Sequence, residues 1–115
     1  MDLRAYVDEW IDAWNSRDVE RVLAHFADDV VFSSPLAAAV VEGSGGVVRG
    51  KDALRAYWRA ALERSPEIRF ELVGAYVGVS ATVINYRNHR GQVVSEVLIF
   101  DGDLVVAGYV TYLEV

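Results

Sequence analysis

Cysteine is absent from the 115-residue chain, so neither disulfides nor thiolate metal sites hold it together, and the redox compartment stays open. Positive charge is scarce. Eleven Lys and Arg stand against 17 Asp and Glu, a net charge of −6. A nucleic-acid binder needs a basic face to neutralise phosphates, and no Lys/Arg cluster or stacking-aromatic motif supplies one. No run approaches the ~20 apolar residues needed to cross a bilayer. The start, Met1-Asp2-Leu3-Arg4, is too acidic and amphipathic for a signal peptide, so a cytoplasmic location is the default expectation, with neither nucleic acid nor membrane as a partner. What is present is globular in composition, 53% apolar and 24% charged. That length fits one domain over residues 1–115 with a single core.

The chain divides by hydrophobic period. Leu3, Tyr6, Val7, Trp10, Ile11 and Trp14 recur at helical spacing, with Asp2 as N-cap. Asn15-Ser16-Arg17-Asp18 breaks that helix, and Ser16 or Asp18 can cap a shorter one bearing Val19, Val22, Leu23 and Phe26. His25 falls between these stripe positions and reads as a solvated helix residue. Ala27-Asp28-Asp29 reads as a turn into a strand, Val30 to Ser34, stopped by Pro35; the two carboxylates read as turn formers, since no His/Glu set accompanies them to suggest a metal. Leu36 to Gly46 starts apolar and becomes Gly-rich, which fits either a mobile flap or an edge hairpin. Gly43-Ser44-Gly45-Gly46 lacks the Gly-Lys-Ser/Thr continuation of a phosphate loop. A third helix, Ala53 to Arg64, turns Leu54, Tyr57, Trp58, Ala61 and Leu62 inward and ends at Ser65-Pro66. Beyond it the period changes to two: Ile68 to Val73, a turn near Gly78, a hairpin over Ala81 to Phe100, a tight turn at Asp101-Gly102, and a last strand, Leu104 to Leu113. Helices first and antiparallel strands after them give an α+β domain with helices on one face of a sheet.

The hairpin carries the polar residues of interest. If Arg90-Gly91 is a two-residue turn, Asn85 lies opposite Glu96 and Arg87 opposite Val94, so Asn85, Arg87 and Glu96 share one face among apolar neighbours. Shifting the turn by one residue changes which residues face each other. Thr82, Ile84, Tyr86, Val97 and Ile99, with Val105, Ala107, Tyr109 and Thr111, then form an apolar face turned away from the helices. Such a face predicts a homodimer through the sheet.

Four motifs in order carry a family resemblance: Trp10 to Asp18, Phe26 to Phe32, Arg49-Gly50-Lys51-Asp52-Ala53-Leu54 with Tyr57-Trp58, and Phe100 to Val105. Together they resemble the nuclear transport factor 2-like superfamily, nearest the branch of SnoaL-like polyketide cyclases and ketosteroid isomerases. The resemblance spans nearly the whole chain. It implies a cone, with three N-terminal helices against a curved, mainly antiparallel sheet and a pocket entering the open end. It also implies pairing through the sheet.

In ketosteroid isomerases a tyrosine and a protonated aspartic acid hold the oxyanion while a second aspartate moves the proton. The resemblance aligns Trp10 with that tyrosine, Ser34 with the base, Glu96 with the protonated acid, and Phe26 and Trp58 with supporting tyrosines. Serine cannot take up the base's role unaided, which argues against steroid isomerisation.

Two readings of the site stand side by side. In one, Glu96 is an acid or base tuned by Arg87 in a pocket walled by Trp10, Trp14, Phe26, Ser34, Tyr57, Trp58, Asn85 and Tyr112, acting on a small, mostly apolar carbonyl or polycyclic compound. In the other, Glu96, Arg87 and Asn85 satisfy one another inside a non-catalytic binding or dimerisation module. Nothing in the sequence implies a metal or an organic cofactor.

Overall fold

The computed structural model describes residues 2–115. Helix α1, Leu3–Asn15, buries Tyr6, Val7, Trp10, Ala13 and Trp14, the stripe that its spacing predicts. The Asp2 side chain accepts from the backbone N–H groups of Arg4 and Ala5 at 3.0 and 3.3 Å, which satisfies two donors that a helix start leaves free. Arg17 takes a positive φ of 59° where the chain leaves α1, and Asp18 caps α2, Val19–Leu23. Arg21 reaches back from α2 to Glu9 and Asp12 of α1 at 2.7–2.8 Å. His25 follows α2 rather than lying in it, and its ring meets Tyr6 edge-on with centroids 5.2 Å apart.

Strand β1, Phe26–Ser33, starts earlier than expected. Asp28 and Asp29 lie inside it, where the pairing slips between Phe26 and Val31. An irregular stretch lets two consecutive carboxylates both reach solvent, which a regular pleat forbids.

The stretch from Leu36 is neither an irregular flap nor a hairpin arm. Pro35–Val40 forms helix α3, because the Ser34 hydroxyl accepts from the Leu36 N–H at 3.2 Å and Pro35 suits the first helical position. Ser44 then ties the loop back, donating to the Ala37 carbonyl at 3.1 Å. An edge strand does follow: β2, Val47–Arg49, pairs antiparallel with β1. Helix α4, Lys51–Arg64, buries Leu54, Tyr57, Trp58 and Ala61 and begins two residues earlier than its apolar pattern suggests. So among the described residues there are four helical segments, not three, with β1 and β2 interleaved among them ahead of the rest of the sheet.

Strands β3 (Glu71–Val77), β4 (Ala81–Arg87), β5 (Val93–Asp101) and β6 (Leu104–Tyr112) complete one sheet in the order β2-β1-β6-β5-β4-β3. Among the described residues only β1 and β6 run parallel; every other pair is antiparallel. The α+β expectation, helices first and then a mainly antiparallel sheet, is borne out. Helices and sheet enclose a core rich in aromatic rings. Trp58 meets Trp14, Phe26 and Phe32 edge-on at 5.0–5.4 Å, and Phe70 stacks on Trp10 at 5.7 Å.

The hairpin register differs from the two-residue-turn expectation by one. Ile84 lies opposite Glu96, Tyr86 opposite Val94 and Arg87 opposite Val93. The connection is a five-residue loop, 88–92, closed by the Asn88 carboxamide: its Oδ1 accepts from the N–H of Arg90 and of Gln92, both at 3.0 Å. Gly91, at φ 79°, supplies the left-handed turn, a conformation that a Cβ disfavours. A one-residue slip moves every side chain of one strand to the other face. Thr82, Ile84 and Tyr86 therefore point into the core, and Val83, Asn85 and Arg87 point outward. Val105, expected outside, is also buried; Val97, Ile99, Ala107, Tyr109 and Thr111 remain on the outer side.

Candidate functional site

A cavity of about 120 Å³ lies between α4, the inner face of β4–β6 and the 88–92 loop. Its walls are largely aromatic: Trp14, Phe32, Tyr57, Trp58, Phe70, Tyr86 and Tyr112. Glu96, on the central strand β5, is only 3% exposed. Its Oε1 accepts from the Tyr86 hydroxyl at 3.2 Å, and its Oε2, also sealed from water, has no hydrogen-bond partner among the described residues. Burial disfavours the carboxylate and pushes Glu96 up to about 8, against the smaller opposing effect of the Tyr86 bond. At neutral pH the side chain is therefore mostly the acid. With Oε1 accepting, Oε2–H is left as a donor without an acceptor. Burial also raises the hydroxyls of Tyr57, Tyr86 and Tyr112, and the nearby Glu96 adds to it, so these groups stay protonated donors.

Ser34 is committed elsewhere. Its hydroxyl caps α3 and also accepts from the Tyr57 hydroxyl at 3.3 Å. The serine therefore serves as a helix cap whose oxygen borders the cavity.

Of the residues expected at the site, Glu96, Trp14, Ser34, Tyr57, Trp58 and Tyr112 line this cavity. Trp10 and Phe26 are buried one layer behind, Trp10 against Phe70 and Tyr86, and Phe26 against Trp58. Asn85 and Arg87 are corrections, because the register puts both on the outer face. There Asn85 accepts from Ser95 Oγ, and Arg87 donates to the Gly91 carbonyl at 3.2 Å. Arg87 therefore does not tune Glu96; Tyr86 is its partner. Among the lining residues that the sequence reading does not place at the site are Tyr86, Phe70, His89 and Arg90. Polarity was the available signal for Tyr86, since Asn85 and Arg87 mark the wet face of β4 and leave Ile84 and Tyr86 for the dry one. Among the described residues no group of acidic, His or Cys side chains could hold a metal ion. No described helix is long and apolar enough to cross a membrane.

The SnoaL-like domain family matches residues 7–103, most of the chain. The chain belongs to this family. The structure of a SnoaL-like protein of unknown function from Burkholderia thailandensis superposes with a TM-score of 0.89 at 36% identity, covering 96% of this chain and 93% of that one. More distant structures share the fold. A candidate polyketide cyclase from Sinorhizobium meliloti gives a TM-score of 0.76 at 14% identity, over 91% of this chain and 92% of that one. A candidate ketosteroid isomerase from Kribbella flavida gives 0.75 at 16% identity, over 97% and 78%. No curated protein matches the chain. In this SnoaL-like domain the nuclear transport factor 2-like resemblance of the sequence is borne out, while the carboxyl at its centre is paired with Tyr86 and not with an arginine.

Proposed function

We propose that this SnoaL-like domain binds a small, mostly apolar carbonyl compound, and that Glu96 acts on it as an acid, donating from Oε2 to the carbonyl oxygen. The observation that carries this reading is the buried carboxyl whose second oxygen lacks a partner in an otherwise aromatic cavity. Buried polar atoms are nearly always hydrogen-bonded, so an orphan at a cavity floor invites a ligand atom. A protonated acid in an apolar site stabilises charge that develops on a carbonyl oxygen, because no solvent reorganisation is needed. Size limits the ligand. A cavity of ~150 Å³ accommodates benzene, so about 120 Å³ takes one ring, and a polycyclic compound would extend through the mouth. The candidate cyclase and isomerase of the same fold act as analogies in favour of carbonyl chemistry, and as nothing stronger.

A non-catalytic binder is the second reading, and Ser34 favours it. The position where the resemblance expects the proton-moving base is occupied as a helix cap. Two measurements separate the readings. Cyclohexanone titrated by ligand-observed NMR should bind below pH 8, weaken about tenfold per pH unit above it, and fail to bind Glu96→Leu. Affinity that is flat to pH 10 in the wild type would overturn the role of Glu96. Deuterium exchange at the ketone α-carbon, faster with wild type than with Glu96→Gln, marks an enzyme; no acceleration marks a binder.

A further inference from the structure

The mouth of the cavity differs in character from its floor. Four side chains of the 88–92 loop line it: Asn88, His89, Arg90 and Gln92. Asn88 and Gln92 are occupied with each other and with the loop backbone, Asn88 Nδ2 donating to Gln92 Oε1 at 3.0 Å. The backbone closes on itself as well, Asn88 N–H to the Gln92 carbonyl and Gly91 N–H to the Asn88 carbonyl, both 3.0 Å. The loop is thereby a rigid mount, and the two side chains it leaves uncommitted are His89 and Arg90. Among the described residues the Arg90 guanidinium makes no hydrogen bond or ion pair, yet its charge is felt at the Tyr112 hydroxyl inside the cavity. His89 Nδ1 is buried without a partner, while its Nε2 lies 3.8 Å from the exposed carboxylate of Glu67.

We propose that Arg90 is an anion-recognition site at the cavity mouth, so that the ligand is a one-ring carbonyl compound that also carries a carboxylate. This rests on the Glu96 reading for the carbonyl end. The two ends of the cavity then divide the work: a neutral acid donates to the carbonyl below, and a guanidinium fork takes the anion above. The rest of the chain supports the assignment through its charge. A net charge of −6 repels an anion at a distance, so an anionic ligand needs a local cation to be held at all. Glu67 does not cancel the site, because it lies on the outward nitrogen of His89 and is mostly exposed. Among the described residues the Arg90 guanidinium has no carboxylate partner to compete with an incoming anion.

Three probes and one variant test it: cyclohexanone, 4-oxocyclohexanecarboxylate and cyclohexanecarboxylate, each titrated calorimetrically at pH 6.5 and low salt against wild type and Arg90→Gln. We expect the keto acid to bind at least tenfold more tightly than the ketone, to lose that gain over the ketone in Arg90→Gln, and to lose part of it when salt is added. Should the keto acid gain nothing over the ketone, or keep its gain in Arg90→Gln, the anion site is overturned and the Glu96 reading stands. Should it bind no better than cyclohexanecarboxylate, the Glu96 reading fails and the anion site stands. If none of the three binds, both are overturned.

Discussion

The Tyr86 hydroxyl reaches Glu96 Oε1 at 3.2 Å along a diagonal of the β4–β5 ladder, since Tyr86 is paired with Val94 and Glu96 with Ile84. Diagonal neighbours on one face are within reach only of long side chains. A tyrosine thus holds one oxygen of the carboxyl and leaves the other at the disposal of the cavity.

That arrangement makes folding take up a proton. Glu96 ordinarily titrates near 4.5 and is pushed up to about 8 by burial. Its contribution to stability is fully present below the lower value, declines between the two, and is gone above about 8. Within that window stability should fall with rising pH by about 1.4 kcal/mol per unit on account of this one group. Urea unfolding of wild type and Glu96→Gln at pH 5.5, 7 and 8.5 checks it. The difference between the two isolates Glu96 from the histidines, and the glutamine variant should gain relative stability as pH rises. Parallel curves would show that the carboxyl is not proton-linked.

Asn15 and Phe70 form a reciprocal clamp. The Asn15 amide donates to the Phe70 carbonyl and accepts from the Phe70 N–H, both at 2.8 Å. Phe70 is stacked among Trp10, Trp14 and Tyr86 and lines the cavity. Asn15→Ala leaves two partly buried backbone groups unpaired, and we expect it to cost about 1–3 kcal/mol. Denaturant titration measures this, and a loss below 0.5 kcal/mol would mean that water replaces the amide without penalty.

Gly108 has the least room for a side chain of the described glycines. A Cβ there would stand 2.7 Å from Phe32 Cδ1 and 2.8 Å from Cε1, on a ring that is itself buried and borders the cavity. We expect Gly108→Ala to cost about 1–3 kcal/mol by overpacking and to weaken cyclohexanone binding by pushing Phe32 inward. Unchanged melting and binding would show that the ring swings aside freely.

The outer face of the sheet carries an apolar row. Tyr76, Val83, Val97 and Tyr109 are paired in register across β3, β4, β5 and β6, and Val31, Ala107, Ile99 and Ala81 form the next row. We expect this face to bind a second copy, with about 800 Å² buried per partner in a stable pair. Light scattering at micromolar concentration should give twice the chain mass, and Val97→Glu should halve it. A monomeric wild type would remove the dimer.

Much of this was legible in the residues. The stripe Tyr6, Trp10, Trp14 is unmistakably helical, and period-two alternation locates β4 to β6 within a residue or two. Glu96 could be singled out because a lone carboxylate among Val94, Leu98 and Phe100 is costly to bury. The loop after β4 could not be measured the same way. Its length depends on whether one carboxamide, that of Asn88, turns back to its own backbone, and that single choice decides which face Arg87 takes. Helix α3 is hidden for a related reason: the sequence pattern makes Pro35 the end of a strand, while the Ser34 hydroxyl makes it the start of a helix.

The parallel pairing of β1 with β6 has a kinetic consequence. The hairpins β3–β4, β4–β5 and β5–β6 close over short separations, but Val31 and Ala107 must meet across most of the chain. Contacts of long sequence separation form late, since the entropy of loop closure comes before any gain from pairing. The meander holding Glu96 should therefore arise first as a half-built sheet with its carboxyl still wet and charged. In pulse-labelled hydrogen exchange the amides of β4 and β5 would be protected ahead of those of β1. The proton would then be captured only when the N-terminal helices and β1 arrive to exclude the water.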